Sequence, residues 1–112
     1  MKTRSFPKGL KLRKRSEFLR VSREGRRLSG KILAIDCRRF GEKETRLGIT
    51  ASRHYGDAHE RNRFKRLVRE AFRNSRSELP LGFELNVFPR KEAKGVSFEA
   101  LRSEFSSLLS SL

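Results

Sequence analysis

Asn62, Lys65, Arg66, Arg69, Arg73 and Arg76 recur at spacings of three and four. At about 100° per residue they share one helical arc of roughly 100°. Guanidinium and ammonium groups in a row can contact successive phosphates, and Arg does so bidentately. Like charges at i, i+4 repel by a few tenths of a kcal/mol per pair. Arg61/Lys65, Lys65/Arg69 and Arg69/Arg73 all carry that cost, and only Glu70 relieves it. A helix that was merely solvated would mix Glu with Lys, so this face points to a polyanion.

Other constellations are thin. No Ser/His/Asp set, phosphate-cradling glycine loop or isolated carboxylate pair is present, so the sequence predicts no catalytic residue in the chain itself. His54 and His59 lack Cys or carboxylate neighbours in zinc spacing, which predicts no metal bound by the protein alone. Asp57 and Glu60 could hold a divalent ion only together with phosphates of a polyanionic partner.

The whole composition agrees with the arc. Among 112 residues there are 28 Lys+Arg against 13 Asp+Glu, a net charge of +15. Self-repulsion of that size opposes the compact state, whereas releasing counterions from a nucleic acid rewards it. Residues 1–31 hold twelve basic and two acidic residues, residues 53–76 eight and three, and the rest balances. A single cysteine, Cys37, permits no internal disulfide and reads as a strand core residue in a reducing compartment. No apolar run reaches the length of a membrane span, and no apolar stretch follows the basic N-terminus as in a secretory signal. These features predict a cytoplasmic, single-domain protein without membrane association.

The elements that must position the arc follow from periodicity. Residues 1–15 read as a flexible basic arm. Ser16 reads as an N-cap with Glu17 in the first turn, and a short helix runs to Glu24 with Gly25 as its stop. Residues 31–40 alternate as a strand, residues 41–44 turn, and residues 45–52 form a second strand. The short connection predicts an antiparallel hairpin. In that second strand Gly48, Thr50 and Ser52 are all small on one face.

After Tyr55-Gly56-Asp57, Phe64, Leu67, Val68, Ala71 and Phe72 mark the buried stripe of a helix reaching about Asn74. Residues 83–88 read as a third strand ended by Pro89. Ser97 caps a last helix with Phe98, Leu101, Phe105, Leu108 and Leu109 on one side. The order α-β-β-α-β-α predicts an α+β two-layer sandwich.

The string Arg61-Asn62-Arg63-Phe64-Lys65-Arg66-Leu67-Val68-Arg69-Glu70-Ala71-Phe72-Arg73 resembles the RNR signature of the bacterial ribonuclease P protein component. The resemblance extends in register from about residue 10 to 110. Leu47-Gly48-Ile49-Thr50-Ala51-Ser52 looks like that family's second strand and Gly56 like its loop glycine. Ser16-Glu17-Phe18 with Gly25 looks like its first helix, and Phe88-Pro89-Arg90-Lys91 like its last strand and the basic residues beyond.

The resemblance implies the fold of the second domain of the fifth small-subunit ribosomal protein, with a left-handed β-α-β crossover; handedness statistics alone would give a right-handed one. It implies two partners, the catalytic RNA of ribonuclease P and precursor tRNA, and no stable protein partner. The holoenzyme would be an endoribonuclease that removes the 5′ leader of precursor tRNA and leaves a 5′-phosphomonoester. Its Mg2+ would be held through the RNA, which performs the catalysis.

By the same resemblance Arg61, Asn62, Arg63, Lys65, Arg66, Arg69 and Arg73 would face the RNA subunit. Phe18, Thr50, Ser52, Arg53, Arg90 and Lys91 would meet the leader in a cleft between the first helix and the sheet. Ser22 and Asp36 depart from the family pattern, standing where further aromatics are often found, which leaves Phe88 as an alternative stacking ring. For Phe18 itself an ordinary core position stands as an equal alternative. The rival functions are a ribosomal or other structural RNA-binding protein, and a DNA-binding module. The second is disfavoured by the lack of a helix-turn-helix pair.

Overall fold

The computed structural model describes residues 11–112. In chain order its elements are α1 (Arg15–Glu24), β1 (Arg26–Ser29), β2 (Leu33–Arg39), β3 (Arg46–Ile49), α2 (Ala58–Ser75), β4 (Phe83–Pro89) and α3 (Phe98–Leu109). The strands form one sheet in the order β1-β2-β4-β3. β2 is antiparallel to β1 and β4, and β3 runs parallel to β4.

One face of the sheet is apolar. Register aligns Cys37 with Leu85 and Leu47, and Ile35 with Val87 and Ile49. α2 and α3 cover this face with Phe64, Leu67, Val68, Ala71, Phe72, Leu101, Phe105 and Leu109, all buried. Each large side chain so placed contributes about 1.5–3 kcal/mol relative to exposure. This is the expected α+β sandwich, with both helical stripes where periodicity put them, although α1 on the opposite face makes it three layers where two were expected. Asp57 caps α2 reciprocally: its carboxylate accepts from the Glu60 amide (2.9 Å) while Glu60 Oε1 accepts from the Asp57 amide (3.1 Å). Ser97 Oγ caps α3 by accepting from the Ala100 amide at 3.1 Å.

The opposite face is polar and carries α1. Here register aligns Arg38, Glu84 and Arg46 in one row, and Arg27, Asp36, Asn86 and Gly48 in the next. The Glu84 side chain, only 1% exposed, accepts from Arg38 (3.0 Å) and Arg46 (3.5 Å). Arg46 also pairs with Glu17 (2.8 Å) near the start of α1, and Arg38 with Glu24 (2.9 Å) at its end. Val21, fully buried, faces the sheet between these two ties.

Four sequence expectations change. Residues 26–29 form a strand that alternation did not reveal, because Leu28 is their only apolar residue. The second and third strands are not a hairpin, since β4 lies between them. Six residues, 40–45, can span two strand spacings of about 4.8 Å each, and they are held to the start of β4 by Phe40 N–H to Gly82 O and Gly82 N–H to Lys43 O. Gly82 sits at φ +87° with its α-carbon against the Gly41 carbonyl, a conformation and a space that exclude other residues.

Ser16 is not the cap of α1, which begins two residues earlier than that cap implies, at Arg15 after Lys14. Glu17 closes that end instead, its Oε1 accepting from the Arg13 (2.7 Å) and Lys14 (3.0 Å) amides. Gly25 does follow the helix but in extended backbone; it is needed because a β-carbon there would collide with the Cys37 and Val21 carbonyls. Residues 11–14, read as the end of the arm, are docked: Leu12 is buried and its amide donates to Leu47 O at 2.9 Å. Residues 1–10 of that arm lie outside the described residues.

Burial pushes the Glu17 carboxyl up, but the Arg13 and Lys14 amides and the Arg46 guanidinium outweigh it and hold its pKa at about 2, against 4.5 ordinarily. A depressed carboxylate pKa stabilises the fold above its unfolded value and loses that contribution as pH falls toward the folded one. Between pH 4.5 and 2 the denaturant midpoint of the wild type should therefore fall more steeply than that of Glu17→Gln. Parallel midpoint curves would show that Glu17 carries no such linkage.

Candidate RNA interface

Amphipathicity orients α2. Its apolar stripe faces the core, and on the outer side Asn62, Arg66 and Arg73 are exposed while Arg61, Lys65 and Arg69 are half-buried. Arg66, Arg69, Glu70 and Arg73 line a shallow groove of about 420 Å³. Arg63 and Arg76 make contacts away from this face. Arg63 Nη2 donates to the Val96 carbonyl at 2.6 Å, which ties α2 to the segment before α3. Arg76, the last member of the predicted arc, pairs with Glu44 at 2.7 Å.

The residues expected to meet a leader divide between two places. Phe18 is half-buried on the inner side of α1 and lies outside the main core cluster. Its ring packs on Gly48, where a β-carbon would stand 2.5 Å from Cε1. The small size of Gly48 thus admits an aromatic ring. Phe18 and Gly48 also line a groove of about 180 Å³ with Leu12, Ile49, Lys65 and Arg69. Lys65 and Arg69 therefore border both this groove and the outer face of α2.

Thr50, Ser52 and Lys91 come together in a second groove of about 440 Å³, with Tyr55, Phe88 and Lys94. Thr50 Oγ1 donates to Asn86 Oδ1 at 3.1 Å. The Lys94 ammonium lies 5.7 Å from the centre of the Tyr55 ring. Arg53 and Arg90, next in sequence to Ser52 and Lys91, are exposed and line neither groove.

The sequence pattern does not single out Lys11, Tyr55 or Lys94, and assigns Arg27 no role. Arg27 lies on the unrecognised strand, Lys11 in the segment that reads as an arm, and Tyr55 in a stretch that reads only as punctuation. Cys37 is buried as expected, and burial pushes its thiol up, away from reactive thiolate. Among the described residues no three His, Cys, Asp or Glu side chains stand close enough to hold a metal ion. None of the described helices is long and apolar enough to cross a membrane.

A four-stranded α+β domain that turns a cationic helix outward beside aromatic, lysine-rimmed grooves is of the RNA-binding class. The chain belongs to the ribonuclease P protein family: the family described as Ribonuclease P matches residues 6–112. The ribonuclease P protein component of Thermotoga maritima is 38% identical over 111 residues, covering 96% of this chain and 95% of that one. That of Chlamydia trachomatis serovar D is 42% identical over 87 residues, 77% of this chain and 72% of its own. The solved structure of the Thermotoga maritima RNase P protein superposes with a TM-score of 0.85 at 36% identity, covering 91% of this chain and 96% of that one.

Proposed function

We propose that this chain is the protein subunit of a ribonuclease P that removes the 5′ leader of precursor tRNA. It binds the catalytic RNA through the outer face of α2 and the leader through the grooves beside Phe18 and Phe88. The observation that carries this is the division of α2 into a buried stripe and a cationic face, in a chain of this family. The RNA performs the hydrolysis, holds the Mg2+ and leaves a 5′-phosphomonoester; the protein contributes binding, in the cytoplasm. Arg61, Asn62, Lys65, Arg66, Arg69 and Arg73 face the RNA subunit, and Arg63 braces the helix from behind while offering its remaining donors. A ribosomal or other structural RNA-binding role is not favoured by the family match.

Reconstitution is the test. The purified chain should cleave nothing alone, yet allow a cognate RNA subunit to process precursor tRNA at low magnesium. Cleavage by protein without RNA, or no effect of adding it, would overturn the assignment.

The α2 interface has its own signature. Arg66→Ala with Arg69→Ala should weaken RNA-subunit binding and reduce the slope of log K against log salt by roughly one per lost phosphate contact. An unchanged slope places the phosphate contacts on other residues.

A further inference from the structure

Arg27 is held by two partners. Its Nε and Nη2 donate to the two oxygens of Asp36 at 2.7 and 3.1 Å, a bidentate pair. Its guanidinium carbon lies over the Phe88 ring, 4.8 Å from its centre, a cation–π contact. The Asp36 side chain is 7% exposed, whereas Arg27 keeps 54% of its side-chain surface in solvent. Register explains the reach: Arg27 on β1 faces Asp36 on β2, and Ala34, two residues along β2, is the partner of Phe88 on β4.

A surface Arg normally swings freely and presents charge. This one is immobilised in a plane, and a buried carboxylate already neutralises it. A phosphate approaching that plane would meet Asp36 as well, so the arrangement is poorly suited to phosphate. A flat base suits it, because bases stack on guanidinium planes as they do on aromatic rings. Phe88 also lines the groove that holds Thr50, Ser52, Lys91 and Lys94, so the plane continues a surface whose lysines can take phosphates.

We propose that Arg27, laid on Phe88 and locked by Asp36, is a stacking platform for one unpaired base of the precursor leader. This rests on the reading of that groove as the leader path. It assigns a base-contacting role to β1 and explains why Asp36 is buried beneath a solvent-facing arginine.

The test uses holoenzyme reconstituted from this chain and a ribonuclease P RNA, with precursor tRNA bearing either a long leader or a single leader nucleotide. Arg27→Lys keeps the charge but loses the plane and the bidentate pair. It should weaken binding of the long-leader precursor roughly tenfold and leave the single-nucleotide precursor unchanged. Phe88→Leu, which keeps an apolar contact without a ring, should shift the same way. Abasic nucleotides scanned along the long leader should find one position where losing the base costs the wild type about tenfold and the Arg27→Lys enzyme nothing further. The proposal is overturned if both variants bind the long leader like wild type, or if they lose equally on both precursors. If the wild-type holoenzyme itself binds both precursors equally, the leader reading fails and takes this platform with it.

Discussion

Glu104→Ala is expected to destabilise the fold by about 3–5 kcal/mol. Glu104 lies on α3, and its carboxylate accepts three successive backbone amides where the chain enters β2: Lys31 at 3.0 Å on Oε1, and Ile32 and Leu33 at 2.6 and 2.7 Å on Oε2. Hydrogen bonds to a charged group contribute roughly 1.5–3 kcal/mol each. The Lys31 amide is exposed and would recover water; the other two are partly buried and would not, which sets the estimate. Gly30 leaves room for the carboxylate, since a β-carbon there would sit 2.5 Å from Glu104 Cδ. Glu104→Gln keeps one acceptor oxygen and should lose about half as much. Chemical denaturation of the three proteins decides it: midpoints that agree within error would mean that solvent closes this turn equally well.

Glu84→Ala is expected to cost roughly 3 kcal/mol, the lower end of the cost of removing one partner from a buried ion pair. The lower end applies because Arg38 and Arg46, each 22% exposed, keep a second carboxylate on α1 in Glu24 and Glu17. The consequence should be local. Glu84 is the common anchor of both arginines that fasten α1, so hydrogen-exchange protection in α1 should fall before that in α2 or α3. A uniform loss across the three helices would show that Glu84 supports the sheet as a whole and does not clamp α1.

Both predictions concern contacts that sequence alone does not display, and the reason is the same. α2, α3, β2 and β4 were legible because each buries one face and solvates the other, so their periodicity is written locally in Phe64, Leu67 and Phe72 or in Leu33, Ile35 and Cys37. β1 was not, because Arg27 is satisfied by a carboxylate and a ring on other strands. The strand order was not, because nothing within residues 31–52 reports that β4 will enter between β2 and β3.

The α1 start was misplaced by two residues' worth of side-chain reach: Ser16 has the right chemistry for a cap, but Glu17 reaches back to two amides first. Gly48 receives the Phe18 ring and also lines the groove beside it, an arrangement that only the position of Phe18 reveals. The α2 ridge was the most legible part of the candidate site, yet Arg63 and Arg76 are engaged by Val96 and Glu44, contacts distant in sequence.

The insertion of β4 between β2 and β3 also has a consequence for synthesis. As the chain emerges, β1 and β2 can pair, but a lone two-stranded hairpin is marginal in water. β3 then has no strand partner for more than thirty residues, until 83–89 appear, and the apolar stripe of α2 has little sheet to cover. Closing that gap is a long-range step with its entropy cost carried late. The cationic helix therefore gains its fixed outward orientation only after the C-terminal third is made. An RNA that requires that orientation would select finished chains over nascent ones.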